Sequence, residues 1–318
     1  MKTLLALGLG VAMSAAALAV SAPRAAADSA KLDFLLTSEP ARSQVTVRLM
    51  SDHQHNITSG FEARELPGLD LAVLNGPNPR PLGFALVRDA GRIDCAGRGG
   101  NRKATGECQV RPSADFANFL AGRGIARPST EEALTLILVD ARRDLVDALG
   151  SYNYPRPDLD AFIELSAVGV TRDFIAALDA RGYRPKTLDD LTQFAALGVT
   201  PDYIHGLQRA GYRDLNGDQI VAMKAVGVTP ELIAVLAASG YRGLAPDDLV
   251  ELAALDVNPA FIEGFAEIGY RNLPVDTLVE LKALEVTPDY VLKLRAKGLF
   301  PRSADQLVRI KAAGLDVE

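Results

Sequence analysis

Apolar and polar residues follow two different patterns along the chain. Residues 31–111 contain short apolar or alternating stretches separated by Gly, Pro and Asn, which is typical of strands joined by turns. The stretches are KLDFLLT, QVTVRLM, GFALVRD, RIDCAG and GECQVR. They predict a small antiparallel sheet, with a helical turn near Leu69 to Leu74. Helices are then expected from Ser113 to about Ala121, and again from Ser129.

The rest of the chain is a repeat with a constant 29-residue period and no insertion. One glycine series is followed by tyrosine or leucine and contains Gly182, Gly211, Gly240, Gly269 and Gly298. The second series has Gly169, Gly198, Gly227, Asp256, Glu285 and Gly314. Between them lie predicted N-cap residues, each followed by proline at the first helical position. These caps are Thr200, Thr229, Asn258 and Thr287.

Apolar positions keep the same period and fall at helical spacings. In the second helix of each unit, the columns begin at Phe174, Ile175 and Leu178, at positions i, i+1 and i+4. In the first helix they begin at Leu191 and Phe194. Each unit is therefore predicted to hold two short helices of about ten residues. Such helices need a neighbour to bury their apolar face, which indicates an α-solenoid.

These patterns together predict an α+β chain: a small antiparallel β domain with a disulfide hairpin, followed by an α-solenoid of 29-residue helix-turn-helix repeats. We expect a signal peptide over residues 1–27 and a β-rich domain with a short helix over 28–128. The helical repeat domain is expected over 129–318. It divides into a degenerate cap (129–158), repeats (159–303) and a C-terminal half-repeat (304–318).

Three polar columns accompany the repeat. The tyrosines that follow the glycines are predicted to seal the helix ends. The aspartate column is Asp160, Asp189, Asp218, Asp247, Asp276 and Asp305; it is interpreted as helix-terminus charge, with a cation ladder as the alternative. The arginine column is Arg184, Arg213, Arg242 and Arg271. It is interpreted as an ion-pair ladder with the aspartates, or else as an edge that docks an acidic partner.

The N-terminus predicts secretion. Lys2 precedes an apolar stretch from Leu4 to Val20, and Ala25-Ala26-Ala27 has the form of a signal-peptidase site, so cleavage is expected before Asp28. The alternative is a retained membrane anchor. After cleavage we expect no stable membrane span and a periplasmic or secreted location.

The net charge and the cysteine content limit the classes of function that the sequence allows. Loss of Lys2 and Arg24 would lower the formal net charge from −6 to −8, which argues against nucleic-acid binding. Cys95 and Cys108 flank a Gly-rich turn, so a structural disulfide across a hairpin is expected in an oxidising compartment. The alternative, a redox or metal-binding pair, lacks the usual spacing and a nearby histidine.

Candidate catalytic residues are few. In SDHQHN, Asp52, His53 and His55 could chelate a metal, although no further ligand is apparent. His205 falls in an outward, variable column and is expected on the surface. The sequence has no P-loop, no H-E-x-x-H and no G-x-S-x-G. We therefore expect no enzyme activity and no cofactor.

Two sets of motifs together resemble a known family. FALVRDAG with CAG, and RGIARP, accompany the GVTPxYI and GYR repeat phrases. The combination resembles the extracytoplasmic C-terminal region of bacterial membrane metallopeptidases of the β-lactam sensor/transducer type. Their zinc-binding helix and transmembrane bundle have no counterpart here, so no catalytic residue carries over. The resemblance implies a sensing or interaction module.

The functional expectation is a non-enzymatic extracytoplasmic module that binds a protein or envelope partner through the helical repeats. Two alternatives are a small-molecule sensor that acts through the β domain and a metal-dependent hydrolase that uses SDHQHN.

Overall fold

The computed structural model describes residues 31–39, 44–50 and 56–315. It contains one antiparallel six-stranded sheet, ordered β3-β2-β1-β6-β5-β4, and a long series of short helices. The strands are β1 (Lys31–Ser38), β2 (Gln44–Met50), β3 (Asn56–Glu62), β4 (Arg80–Arg88), β5 (Gly91–Gly100) and β6 (Lys103–Pro112). The predicted α+β fold class is confirmed.

The disulfide hairpin is also confirmed. Cys95 on β5 and Cys108 on β6 are direct cross-strand partners and are joined by a disulfide. Both cysteines are buried, at 5% and 2% exposure, on the core face of the sheet. The bond therefore acts as a structural crosslink between two central strands.

The helices begin where the capping residues predict. In the sheet region α1 (Leu71–Asn75) gives the expected helical turn, and α2 (Ala114–Gly122) starts after the Ser113 N-cap. Thirteen nine-residue helices then follow within the described chain. They are α3 (Thr130–Leu138), α4 (Arg143–Ser151), α5 (Leu159–Ala167), α6 (Arg172–Ala180), α7 (Leu188–Ala196), α8 (Pro201–Arg209), α9 (Gly217–Ala225), α10 (Pro230–Ala238), α11 (Pro246–Ala254), α12 (Pro259–Glu267), α13 (Val275–Ala283), α14 (Pro288–Ala296) and α15 (Ala304–Ala312).

The 29-residue period starts earlier than the sequence indicates. The expected cap folds as a complete pair, α3 and α4, in the same register as the later units. Helix α2 begins one full period before α4, and the turn that closes it contains Gly124 with φ of 75°. The Ile125 amide donates to the Leu120 carbonyl, as at the later helix ends. Helix α2 is therefore a half-repeat that links the sheet to the solenoid.

The hydrophobic core also continues across residue 128, where a domain boundary was expected. One cluster of buried side chains extends from Leu32 on β1 through Phe116 and Leu136 to Ile220 on α9. Helix α3 packs against β4, β5 and β6. The sheet thus covers the N-terminal end of the helical array.

A charged contact reinforces this junction. Arg88 at the end of β4 donates a 2.7 Å hydrogen bond to Glu65, and its Nε lies 3.2 Å from Asp140 Oδ1 at the end of α3. The hydrogen bond from Arg88 lowers the pKa of Glu65. Burial raises the pKa of Asp140, although Arg88 opposes that rise. One guanidinium thus ties the sheet to the first full repeat.

Within the array, the helices stack in two rows. Contacts join α3, α5, α7, α9, α11, α13 and α15 in one row, and pair α4 with α6, α8 with α10, and α12 with α14 in the other. The predicted core positions of the first helix are almost fully buried, as Leu191 and Phe194 illustrate. Burial of each such side chain contributes about 1.5–3 kcal/mol, which short isolated helices lack.

Each helix from α2 to α15 is closed by a left-handed residue. At the end of α6, the Gly182 amide donates to Asp179 and the Tyr183 amide donates to Leu178, the bonding pattern of a Schellman turn. Asp256 and Glu285 occupy the corresponding position with φ of 52° and 55°. The alignment that placed these two acids in a glycine column is therefore confirmed.

No single helix among the described residues is long and apolar enough to cross a membrane. One pair, Gly217–Ala225 and Pro230–Ala238, meets the length and composition together but is bent by 77°.

We predict that Glu285→Gly stabilises the protein. A left-handed conformation costs a non-glycine residue roughly 1–2 kcal/mol, and glycine removes this cost. The greater conformational freedom of glycine in the unfolded chain offsets part of the resulting gain in stability. Urea denaturation should therefore show a free energy of unfolding that is higher by about 0.5–1 kcal/mol. Glu280→Gly, the same change at an exposed right-handed site within α13, should lower it by about 1 kcal/mol. A loss of stability in both variants would contradict the prediction.

Candidate functional site

Some predicted site residues cannot be placed. The signal segment and Asp52, His53 and His55 lie outside the described residues. Within the described ranges, no three His, Cys, Asp or Glu side chains are grouped as a metal site would require. His205 on α8 is exposed, as expected from its column.

The arginine column lies at the turns that follow α6, α8, α10 and α12, and all four side chains are exposed. Arg184 Nε donates to Asp179 within its own helix end at 3.0 Å, and its guanidinium lies 5.5 Å from the Tyr152 ring centre. Arg242 Nε donates to the Ala237 carbonyl at 3.2 Å. Both side chains therefore turn back toward the helix that precedes them.

The expected ion-pair ladder with the aspartate column is wrong. Among the described residues, no ion pair joins the arginine column to the aspartate column. Each aspartate lies in the first turn of the helix that follows, where the helix dipole favours a negative charge. Because each charge is placed by a different helix end, the two columns run alongside each other without pairing.

Two of the four arginines have no partner within the described chain. The guanidinium groups of Arg213 and Arg271 make no hydrogen bond or ion pair there. Arg184 is the most constrained, and its contact with Asp179 raises its pKa further. We call the edge of the solenoid that carries Arg184, Arg213, Arg242 and Arg271 the turn edge. Its unneutralised cations are those of Arg213 and Arg271.

A groove lies beside Arg271. It has a cavity volume of about 420 Å³ between two consecutive repeats. Leu273 supplies partly exposed apolar lining above the buried Ile262 and Leu278, and Arg271 contributes a cation. The remaining lining residues are Ser239, Tyr241, Glu263, Ala266, Glu267, Tyr270 and Asn272. A groove with both polar and apolar lining and with charged groups of both signs can hold an extended peptide segment or a side chain of a partner.

The tyrosine column is structural, in agreement with the sequence interpretation. The hydroxyls of Tyr212 and Tyr241 each donate at 2.8 Å to a backbone carbonyl in the next turn, those of Leu244 and Leu273. Tyr270 donates to the Pro301 carbonyl at 2.6 Å. The sequence indicated a helix-end contact but not this bond between repeats, because a backbone carbonyl carries no residue signature.

The first members of this column differ from the later ones. The Tyr154 hydroxyl is buried and has no hydrogen-bond partner among the described residues. Burial raises the pKa of Tyr154 and of Tyr183 to about 12, so both remain neutral at physiological pH. Neither phenol is suited to accept a proton in catalysis.

A lysine column was missed in the sequence. Lys224, Lys282 and Lys311 each place their ammonium group 4.7–5.0 Å from an aromatic ring of the preceding repeat. The rings belong to Tyr203, Phe261 and Tyr290. Such cation–π contacts explain why lysine tolerates these half-buried positions. The available signal was the constant sequence separation between each ring and its lysine.

Comparison of the chain with family models, curated proteins and solved structures found no match.

We predict opposite effects for two tyrosine variants. Tyr241→Phe removes the donor to the Leu273 carbonyl and should lower the free energy of unfolding by about 1 kcal/mol. Tyr154→Phe removes a buried hydroxyl that has no partner in the described chain, so stability should stay the same or rise. Urea denaturation of both variants provides the comparison. Equal losses in the two variants would contradict the role assigned to the Tyr241 hydrogen bond.

Proposed function

We propose that this protein is a non-enzymatic extracytoplasmic module that binds a protein or envelope partner through its helical repeats. The partner contacts the turn edge formed by Arg184, Arg213, Arg242 and Arg271. The observation that carries the proposal is the exposed guanidinium of Arg271 in a groove between two repeats, without a partner in the described chain.

The electrostatics of the turn edge favour an acidic group on the partner. Exposed arginine without an internal partner forms bidentate contacts with carboxylate or phosphate groups. The edge also carries the aspartate column close by in the sequence, so long-range attraction is weak. Recognition therefore depends on short-range contacts at individual arginines.

The mixed lining of the groove favours a docked segment over a free small anion. Leu273, which is partly exposed, gains nothing from an ion, but it stabilises an apolar side chain that enters beside Arg271. The two carboxylates, Glu263 and Glu267, restrict which charged side chains fit next to it. A peptide-like partner that combines an apolar anchor and an acidic group fits this groove best.

The extracytoplasmic location rests on the signal-like N-terminus and on the disulfide between Cys95 and Cys108. The resemblance to the extracytoplasmic region of sensor/transducer metallopeptidases agrees with that placement. The repeats supply a rigid scaffold, since their recurring columns are used for caps, core and turns.

The test is charge reversal at the turn edge. The triple variant R213E/R242E/R271E should capture at least tenfold less partner from an envelope extract than the wild-type chain, because three favourable contacts become repulsive. Captured proteins are quantified by mass spectrometry against the wild-type chain. The circular dichroism melting curve should stay near wild type, because these side chains are exposed.

A matched control keeps the same change in net charge. R80E/R127E/R172E alters three exposed arginines away from the turn edge, none of which makes an ion pair in the described chain. This control should capture the partner at the wild-type level. Unchanged capture by the turn-edge variant, or equal losses in both variants, would overturn the proposed site.

A further inference from the structure

The turn between α14 and α15 departs from the repeat. Phe300 occupies the position of the arginine column, one repeat period after Arg271, and Leu299 occupies the tyrosine position. Arg302 stands where the preceding unit has Leu273. Apolar and basic residues have therefore exchanged places in this turn.

The exchange leaves large apolar side chains exposed. Phe300 is 69% exposed, Leu299 is 42% exposed and Leu292 on α14 is 48% exposed. In contrast, Tyr270 is only 7% exposed at the position that Leu299 takes. The nearby buried cluster around Phe265 and Leu294 does not include these three residues. All three lie on α14 or in the turn that follows it, and the described chain leaves them uncovered.

Basic residues lie in the same segment. Lys293, Lys297 and Arg302 are exposed, and none makes a hydrogen bond or ion pair through its side chain in the described chain. Lys293 and Lys297 lie one helical turn apart, and Lys297 is close in sequence to Leu299 and Phe300. We call Leu292, Lys293, Lys297, Leu299, Phe300 and Arg302 the end patch.

The charge of the chain reverses at this end. Residues 288–315 carry six Lys and Arg against two Asp, a net charge of +4, whereas residues 31–287 carry a net charge of −9. The preceding unit, 259–287, has a net charge of −3. Asp316 and Glu318, beyond the described residues, reduce the total for 288–318 to +2. An anionic surface therefore attracts this end and repels the remainder.

We propose that the end patch docks the protein end-on at an anionic phospholipid surface. Exposed Phe and Leu enter the headgroup region, while the neighbouring lysines and arginine contact lipid phosphates with their long side chains. A second copy of the patch is disfavoured, because like charges would repel. A mixture of exposed apolar and basic side chains also suits the interface of an anionic lipid surface.

The test uses the mature chain with sedimented vesicles of two compositions. Vesicles of phosphatidylcholine and phosphatidylglycerol in equal parts should bind the protein, and pure phosphatidylcholine vesicles should not. K297Q/R302Q should weaken binding about 30-fold, because each cation near an anionic surface contributes about 1 kcal/mol. Phe300→Ser leaves the charge of the protein unchanged but should weaken binding several-fold, because it removes an apolar side chain from the lipid interface. Added salt should weaken binding of the wild-type chain.

Matched controls separate the end patch from general charge and hydrophobicity. R127Q/R172Q removes two exposed cations outside both the end patch and the turn edge, and Leu197→Ser removes an apolar side chain that is 38% exposed elsewhere. Both should bind the vesicles as the wild-type chain does. Absence of binding to phosphatidylglycerol vesicles would overturn the proposal and leave an acidic protein as the occupant of the patch. Equal losses in the control variants would also overturn it.

Discussion

A nine-residue helix does not persist alone in water, and this constraint governs the whole helical array. The cost of nucleating a helix is recovered only when a longer helix or a packed neighbour supplies further interactions. Here the neighbour is the helix two positions along the chain, so each helix depends on the next unit for its stability. A short repeating unit follows, because each unit contacts only its neighbours and needs no more than two helices and two turns to bury their apolar faces. The sheet meets the same need at the N-terminal end, where β4 to β6 cover α3.

Most of this scaffold can be predicted from the sequence. The N-caps, the prolines that follow them and the left-handed turn residues are local features, so helix boundaries could be predicted closely. Helix α2 was not recognised as a half-repeat because α4, the helix one period later, lacks the capping signature of the other units. Arg142 stands at its N-cap position and makes no side-chain cap bond. Gly124 and Ile125 did carry the turn signature. A period is hard to recognise when one unit in the series has lost its capping residue.

Long-range pairing was predicted less well than local structure. The arginine and aspartate columns have opposite charges and lie a few residues apart, which suggested a ladder. In the structure each side chain is placed by its own helix end, as Arg184 with Asp179 and Arg242 with Ala237 show. Exposed ion pairs contribute little in water, so nothing forces the columns together. The hydrogen bonds from tyrosine hydroxyls to the next repeat could not be predicted from the sequence either, because their acceptors are backbone carbonyls.

The repeat also separates scaffold from candidate function. A residue that recurs in every unit, as the capping and core positions do, has a sufficient explanation in the stability of that unit. A departure needs another cause. Leu299 replaces a tyrosine whose hydroxyl elsewhere reaches the next turn, and Phe300 is exposed in a column that otherwise holds arginine. Stability alone favours a polar residue at that position, so Phe300 is the departure that most needs a binding partner to explain it.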